Sequence, residues 1–411
     1  MTTLLTHVTL FDGQGGEPLE DGALEIQDDG RIGWVGKTRE LPRDIRAGAQ
    51  KIDGGGQFLM PGLVDAHIHI CWNGEESIFE LLERDRSAIL LEAVSLARRT
   101  LQQGTTSIRD VGGHEYIEMH LRAAVARGWI EGPRMKLSGR VISMTGGHGH
   151  FIAREADGPA EILKAAREQI KAGADTVKLM ATGGSATPGQ DVMASQLTQE
   201  ELAAAVAAAH PMGRTVAAHA HGPGGIQNAT LAGLDSVEHG SYLNEECAEL
   251  MAERGTQLVV TLGVANPEIE DVNALTPVQR ADYERRKDGI QSSRDRYIQT
   301  LQIARAHGVF LACGTDAGGN ALAPHRHAMA REIELLIDYG VPPLDALTMG
   351  TKHNARVLRM EGEVGTLERG KWADLLLLRG NPLEDPRQLR AVAAVWKGGQ
   401  AVDLRSGRLD D

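Results

Sequence analysis

Apolar residues in the first 60 positions recur at the short period of strands. Residues 4–10 alternate loosely, and the segments 23–27 and 31–35 flank Asp28, Asp29 and Gly30, which predicts a hairpin. Gly54, Gly55 and Gly56 then interrupt the pattern before another apolar run.

From about residue 61 the rhythm changes. Short apolar runs at 63–66, 105–108, 134–137, 176–179, 215–218, 236–238, 257–261 and 309–313 are separated by helical stretches. The clearest helix start is Thr198 with Glu201 three residues on, a spacing that lets each side chain satisfy a free backbone donor. A long charged segment at 277–307 belongs on an outer ring or over a site. Eight strands alternating with helices predict a parallel sheet, and eight units favour a closed (β/α)8 barrel over an open doubly wound sheet. No G-x-G-x-x-G follows the first strand, which agrees. After about residue 360 strands return at 373–378, 392–396 and 401–404. The expected organisation is an α/β barrel over 61–360, with a small β-sandwich domain built from 1–60 and 361–411.

Chemistry-bearing residues fall at the ends of these runs. His67 and His69 are two apart in a strand, so they point the same way, and neutral imidazoles suit zinc and similar metals. Taken alone, the pair could equally be two buried histidines meeting their own hydrogen-bond needs. His219 ends the fifth run, His239 the sixth, and Asp316 follows the eighth. Lys178 sits in an otherwise apolar fourth run, where an ammonium is costly unless neutralised or paired. In a barrel these strand ends share one bowl, the place where active sites of such folds lie. Arg109 and Asp110 end the second run, as a structural ion pair or a substrate contact. His7, His114, His120, His210, His307 and His353 have no partner in the pattern and suit the surface or helix ends.

Composition narrows the class. The 411 residues exceed what one core organises, which agrees with a large unit and a satellite. The net charge of -13 argues against a nucleic-acid partner, which would want a basic stripe, and against docking on anionic lipid. No run approaches the 18 or so apolar residues of a membrane span. Cys71, Cys247 and Cys313 are dispersed, which suggests a reducing compartment and buried small hydrophobes. The first residues lack a signal-peptide pattern, so a cytoplasmic location is expected.

With these residues in place, the sequence resembles the amidohydrolase superfamily over nearly its whole length. The resemblance rests on the opening Pro61-to-His69 segment and on the closing segment 365–378, which returns to the β-domain. It implies two divalent metal ions, usually zinc. His67, His69 and Asp316 would hold one ion, His219 and His239 the other, and Lys178 would bridge them as a carbamate. Segments 105–113, 144–150 and 218–222 are similar to the branch of imidazolonepropionase-like proteins and metal-dependent Xaa-Pro dipeptidases, which includes hydrolases of N-acyl amino acids and ochratoxin. In that branch His148 and His221 would face the substrate. The chain departs from the branch at His150, where Asp is frequent, and in the histidine-dense segment around His325 and His327, where His325 is a further substrate-side candidate.

The resemblance implies an enzyme cleaving amide bonds of dipeptides or N-acyl amino acids with a free carboxylate. Asp316 would act as base and then acid, and His148 would stabilise the oxyanion or hold the carboxylate. A small-molecule or dipeptide substrate and a homo-oligomer are expected, with no nucleic acid or membrane partner. The rivals are a ring hydrolase acting on a lactam, lactone or imidazolone, and a scaffold that lost its chemistry. Retention of all six ligands speaks against the latter.

Overall fold

The computed structural model describes residues 2–43, 45 and 49–405. Residues 1, 44, 46–48 and 406–411 of the expected terminal domain lie outside this range. The N-terminal strands are β1 (Thr3–Leu10), β2 (Leu19–Ile26), β3 (Ile32–Lys37), β4 (Gln50–Asp53) and β5 (Phe58–Pro61). The Asp28–Gly30 signal does turn β2 into β3, and these two pair antiparallel.

All eight apolar runs form parallel strands. β6 (Leu63–Ile68), β7 (Thr105–Asp110) and β8 (Arg134–Leu137) make a three-stranded sheet. β9 (Ile142–Ser143), β10 (Arg154–Glu155), β11 (Thr176–Met180), β12 (Thr215–Ala220), β13 (Ser236–His239), β14 (Gln257–Val260) and β15 (Leu311–Cys313) make a seven-stranded sheet. Backbone bonds stitch the two together at both edges. Asp175 N–H donates to the Leu137 carbonyl at 2.8 Å, and His69 N–H donates to the Ala317 carbonyl at 2.9 Å. Alternation within each strand divides the core. Val177 and Leu179 of β11 pack into the main apolar cluster under the helices, and Lys178 between them faces the other way, into a cavity.

The intervening helices follow the local signals. Thr198 and Glu201 form the reciprocal cap of helix Gln199–Ala209. The long charged segment is helix Pro277–Ala306, capped the same way by Thr276 and Gln279. It lies over the site: Arg286, Ser293 and Arg296 line the cavity.

The C-terminal strands are β16 (Leu375–Leu378), β17 (Val392–Lys397) and β18 (Gln400–Ala401), the last shorter than expected. Where the sequence suggested a two-layer sandwich, hydrogen bonding forms one eight-stranded sheet, ordered β18-β17-β16-β5-β1-β2-β3 with β4 on β1. β16 pairs with β5, so the two chain ends share a layer, and Leu5, Leu24, Ile32, Leu59 and Leu375 are buried in one cluster with Trp396. Among the described residues no helix is long and apolar enough to cross a membrane.

Candidate metal centre and substrate cavity

Strand β6 brings Asp65 and His67 to one side, and His69 follows at its end. Asp65 accepts from the His67 N–H, the Thr315 N–H and the Thr315 hydroxyl, the last at 2.7 Å. This pins the turn after β15 against β6. Gly314 makes the approach possible, because a Cβ there would lie 2.3 Å from His67 Cβ. Asp316 then adopts a left-handed φ of 50°, and His239 at the end of β13 one of 71°. Such backbone is costly for residues other than glycine and collects at functional sites.

The side chains converge. Asp316 Oδ1 lies 3.1 Å from His69 Nε2 and 3.5 Å from His67 Nε2. Ligand atoms of His67, His239 and Asp316 fall within 4.8 Å of one another, as do those of His219, His221 and His239. Each imidazole is also fixed from behind. His67 Nδ1 meets Glu238 Oε2 at 2.8 Å, and His239 Nδ1 meets the Thr261 hydroxyl at 2.7 Å. His69 Nδ1 donates to the Gly112 carbonyl and His219 Nε2 to the Gly183 carbonyl, both at 3.1 Å.

These partners decide which nitrogen is bare. With its Nδ1 proton on a carbonyl, neutral His69 turns the lone pair of Nε2 towards the Asp316 carboxylate. Two acceptors 3.1 Å apart need a cation between them. A proton answers in part: burial opposes a charge on His69, but Asp316 and Asp110 outweigh it and raise its pKa. A divalent ion answers for the whole cluster, and imidazoles anchored through the second nitrogen are what metal sites display. Burial, reinforced by neighbouring imidazoles, holds His219 and His239 neutral, the ligand form. Burial also opposes ionisation of Asp316, but His67 and His69 overcome it and keep the carboxyl well below its usual range.

Lys178 is buried and makes no hydrogen bond to any described residue. Burial lowers its pKa to about 8. Beside it, Arg109 does not pair with Asp110. It crosses the interior to Glu238, with Nη2 2.7 Å from Oε1, and donates through Nε to the Ala66 carbonyl at 2.6 Å. Asp110 instead accepts the backbone N–H groups of Ile70 and Gly112. The ion pair is therefore structural, with Glu238 as its acid. Burial works against the Glu238 charge, yet Arg109, His67 and Lys178 outweigh it and hold its pKa low. Glu238 closes the sixth apolar run and was not among the candidate residues read from the sequence. The signal was the one that flagged Lys178, a charge inside an apolar strand.

A cavity of about 320 Å³ opens above this floor and is lined by His67, His69, Lys178, His219, His239 and Asp316. His148 and His221 line it too. Thr187 Oγ1 accepts the Gly149 N–H at 2.9 Å and lies 3.0 Å from His148 Nδ1. The hydroxyl proton is thus free for Nδ1, which leaves Nε2–H as the donor facing the cavity. Gly184 packs on that ring, and a Cβ there would lie 2.4 Å from it. Burial, with His221 and Lys178 adding, lowers the His148 pKa to about 3, and burial takes His221 to about 4. Both therefore face the cavity as hydrogen-bonding groups without charge. Cations come instead from Arg285, Arg286 and Arg296 of the long helix.

The structure does not bring His325 to this cavity. Its Nε2–H donates to the Trp72 carbonyl at 2.7 Å, and the side chain is buried below the mouth, clamping a loop. His150 is exposed against Phe151.

The family model described as "Amidohydrolase family" matches residues 58–402, which span β5 to the return into the terminal sheet and include every candidate ligand. The chain belongs to the amidohydrolase family. It is similar to ochratoxinase from Aspergillus niger, with 31% identity over 97% of this chain and 86% of that one. Among solved structures it resembles a Xaa-Pro dipeptidase with methionine bound in the active site (30% identity, 98% and 99% of the chains covered, TM-score 0.84). A prolidase complexed with N-methylphosphonate-L-proline matches similarly, at 29% identity over 98% and 100% with a TM-score of 0.84. This amidohydrolase is a hydrolase acting on C–N bonds.

Proposed function

We propose that this amidohydrolase hydrolyses the amide bond of dipeptides or N-acyl amino acids that keep a free carboxylate, at a two-metal centre. The observation that carries the proposal is the mutually facing set of His67, His239 and Asp316 donor atoms, within 4.8 Å of one another at the floor of the cavity. The hydrogen bonds at the sheet edges support one closed (β/α)8 barrel over 61–360, with 1–60 and 361–411 as the second domain.

His67, His69 and Asp316 would hold one ion, and His219 and His239 the other. His221 stands close enough to His219 and His239 to join them. An imidazole-rich set with one carboxylate suits zinc. Lys178 would join these ligands as a carbamate. Its amine adds to carbon dioxide and loses a proton, so a buried ammonium becomes an anionic oxygen ligand, and a pKa near 8 keeps part of the amine in the reactive neutral form.

Bound ions of this kind polarise a carbonyl and lower the pKa of the attacking water to about 7. The protein residues do the rest. Asp316 takes the water's proton and delivers it to the leaving amine. His148 Nε2–H donates to the carbonyl oxygen as negative charge builds there. Glu238, Thr261 and the carbonyls of Gly112 and Gly183 keep the imidazoles aimed.

Elemental analysis after mild purification, followed by a screen of dipeptides and N-acyl amino acids, tests the proposal. About two metal ions per chain and carboxylate-bearing amides among the hits are expected. Full activity in metal-free protein, or turnover confined to lactones and cyclic imides, would end it.

A further inference from the structure

Helix Pro277–Ala306 lays one face over the cavity, where Arg285, Arg286, Ser293 and Arg296 contribute to the lining. Two of these arginines are already engaged. Arg285 and Arg286 both pair with Asp282 on their own helix. Arg296 has no acidic partner among the described residues. Its Nη1 donates to the Ser292 hydroxyl at 3.1 Å, and its guanidinium stacks over the Tyr242 ring at 4.8 Å from the centroid. Its Nε is buried and donates to nothing. A buried guanidinium N–H without an acceptor is costly, and the planar fork of arginine matches a carboxylate with two parallel hydrogen bonds. Tyr242 and Ser292 hold the fork in place while leaving those donors free.

The lining has a second property. Among the described residues its only carboxylate is Asp316, which the histidines already claim. The loops after β6 and β9 contribute Ile78, Phe151 and Ile152, the end of β11 contributes Met180, and the region after it contributes Val192. A substrate ammonium placed there would be stripped of water with no anion to meet it. An apolar acyl group in the same space would gain from burial.

We infer that the cavity selects N-acylated amino acids over free dipeptides, with the Arg296 guanidinium receiving the substrate's carboxylate. The inference rests on the amide hydrolysis proposed above and adds the substrate class. The scissile amide then lies between Arg296 and the apolar lining, beside Asp316 and His148.

The test compares 3-phenylpropanoyl-L-phenylalanine with L-phenylalanyl-L-phenylalanine on the metal-loaded protein. The two differ only in the α-ammonium, and equivalent pairs ending in proline and alanine extend the comparison. The acyl member of each pair should be cut with a kcat/KM at least about tenfold higher. Arg296→Met should raise KM for the acyl acid by about ten- to a hundredfold, the scale of one lost charge-assisted contact, with kcat little changed. Turnover of the matching C-terminal amide should not move. Arg296→Lys, which keeps the charge without the fork, should fall between, and it carries the test if the Met variant does not fold. Metal content should match the parent in both variants. Equal or faster cleavage of the dipeptides overturns the selection while leaving amide hydrolysis intact. An unchanged KM in both Arg296 variants overturns the receptor. No cleavage of either member of any pair by metal-loaded protein removes the proposed function, and this inference with it.

Discussion

Glu238 Oε2 lies 2.8 Å from His67 Nδ1, and both side chains are buried. The same carboxylate takes the Arg109 guanidinium at 2.7 Å, so an interior ion pair props a cavity-floor histidine from below. Glu238→Gln should leave Arg109 uncompensated and loosen the tautomer of His67. We expect a stability loss of about 3 kcal/mol by chemical denaturation, since breaking a buried pair from one side is costly. Metal affinity should fall by roughly 10- to 100-fold in a chelator competition. A variant that binds metal as tightly as the parent would show that Glu238 serves the core alone.

Asp316→Asn keeps an oxygen for a metal but cannot accept a proton. The variant should fold, retain part of its metal and lose hydrolysis by about 10²- to 10⁴-fold. Turnover near that of the parent would move the base to another group.

Lys178→Ala should be inactive, and short carboxylic acids such as acetate or propionate should restore part of the rate by replacing the carbamate. Mass spectrometry of the native chain should show a carbon dioxide adduct at Lys178. An unmodified amine in fully active, metal-loaded protein would refute the bridge.

His148→Ala should lower kcat by about 10²- to 10³-fold without changing metal content. Gly184→Ala should reproduce much of that loss, because the added methyl meets the His148 ring at 2.4 Å. The double variant should be little worse than His148→Ala, as expected when both act through one group. Full additivity would separate the two residues.

Glu118 is buried beside Asp110 and Cys71, and its Oε1 has no hydrogen-bond partner. Burial, with the Asp110 charge adding, lifts its pKa to about 8 from an ordinary 4.5. The folded state therefore holds this proton more tightly than the unfolded chain. That contribution to stability is complete below about pH 4.5 and is lost as the pH rises through 8. Glu118→Gln should flatten the decline, with a gain on the order of 1 kcal/mol by pH 8 in denaturant titrations. Parallel pH profiles for the two proteins would assign the slope elsewhere.

Much of the site can be read from the chain because it is built from local rules. Alternation in β6 aims Asp65 and His67 one way, and the strand ends at His219, His239 and Asp316 follow from where apolar runs stop. The cap at Thr198 and the hairpin at Gly30 are equally local. Residues whose role depends on a distant partner were not legible. Arg109 could have paired with its neighbour Asp110, but in the folded chain its fork reaches Glu238, 129 positions away. His325 read as a substrate contact until the loop folded it onto Trp72. The segment 277–307 was expected on an outer ring or over a site, but nothing in its pattern singles out Arg296; the path of the helix over the cavity does. Periodicity specifies the face on which a side chain emerges. The group that meets it there depends on how strands and helices close in space, and that closure is set by contacts remote in sequence.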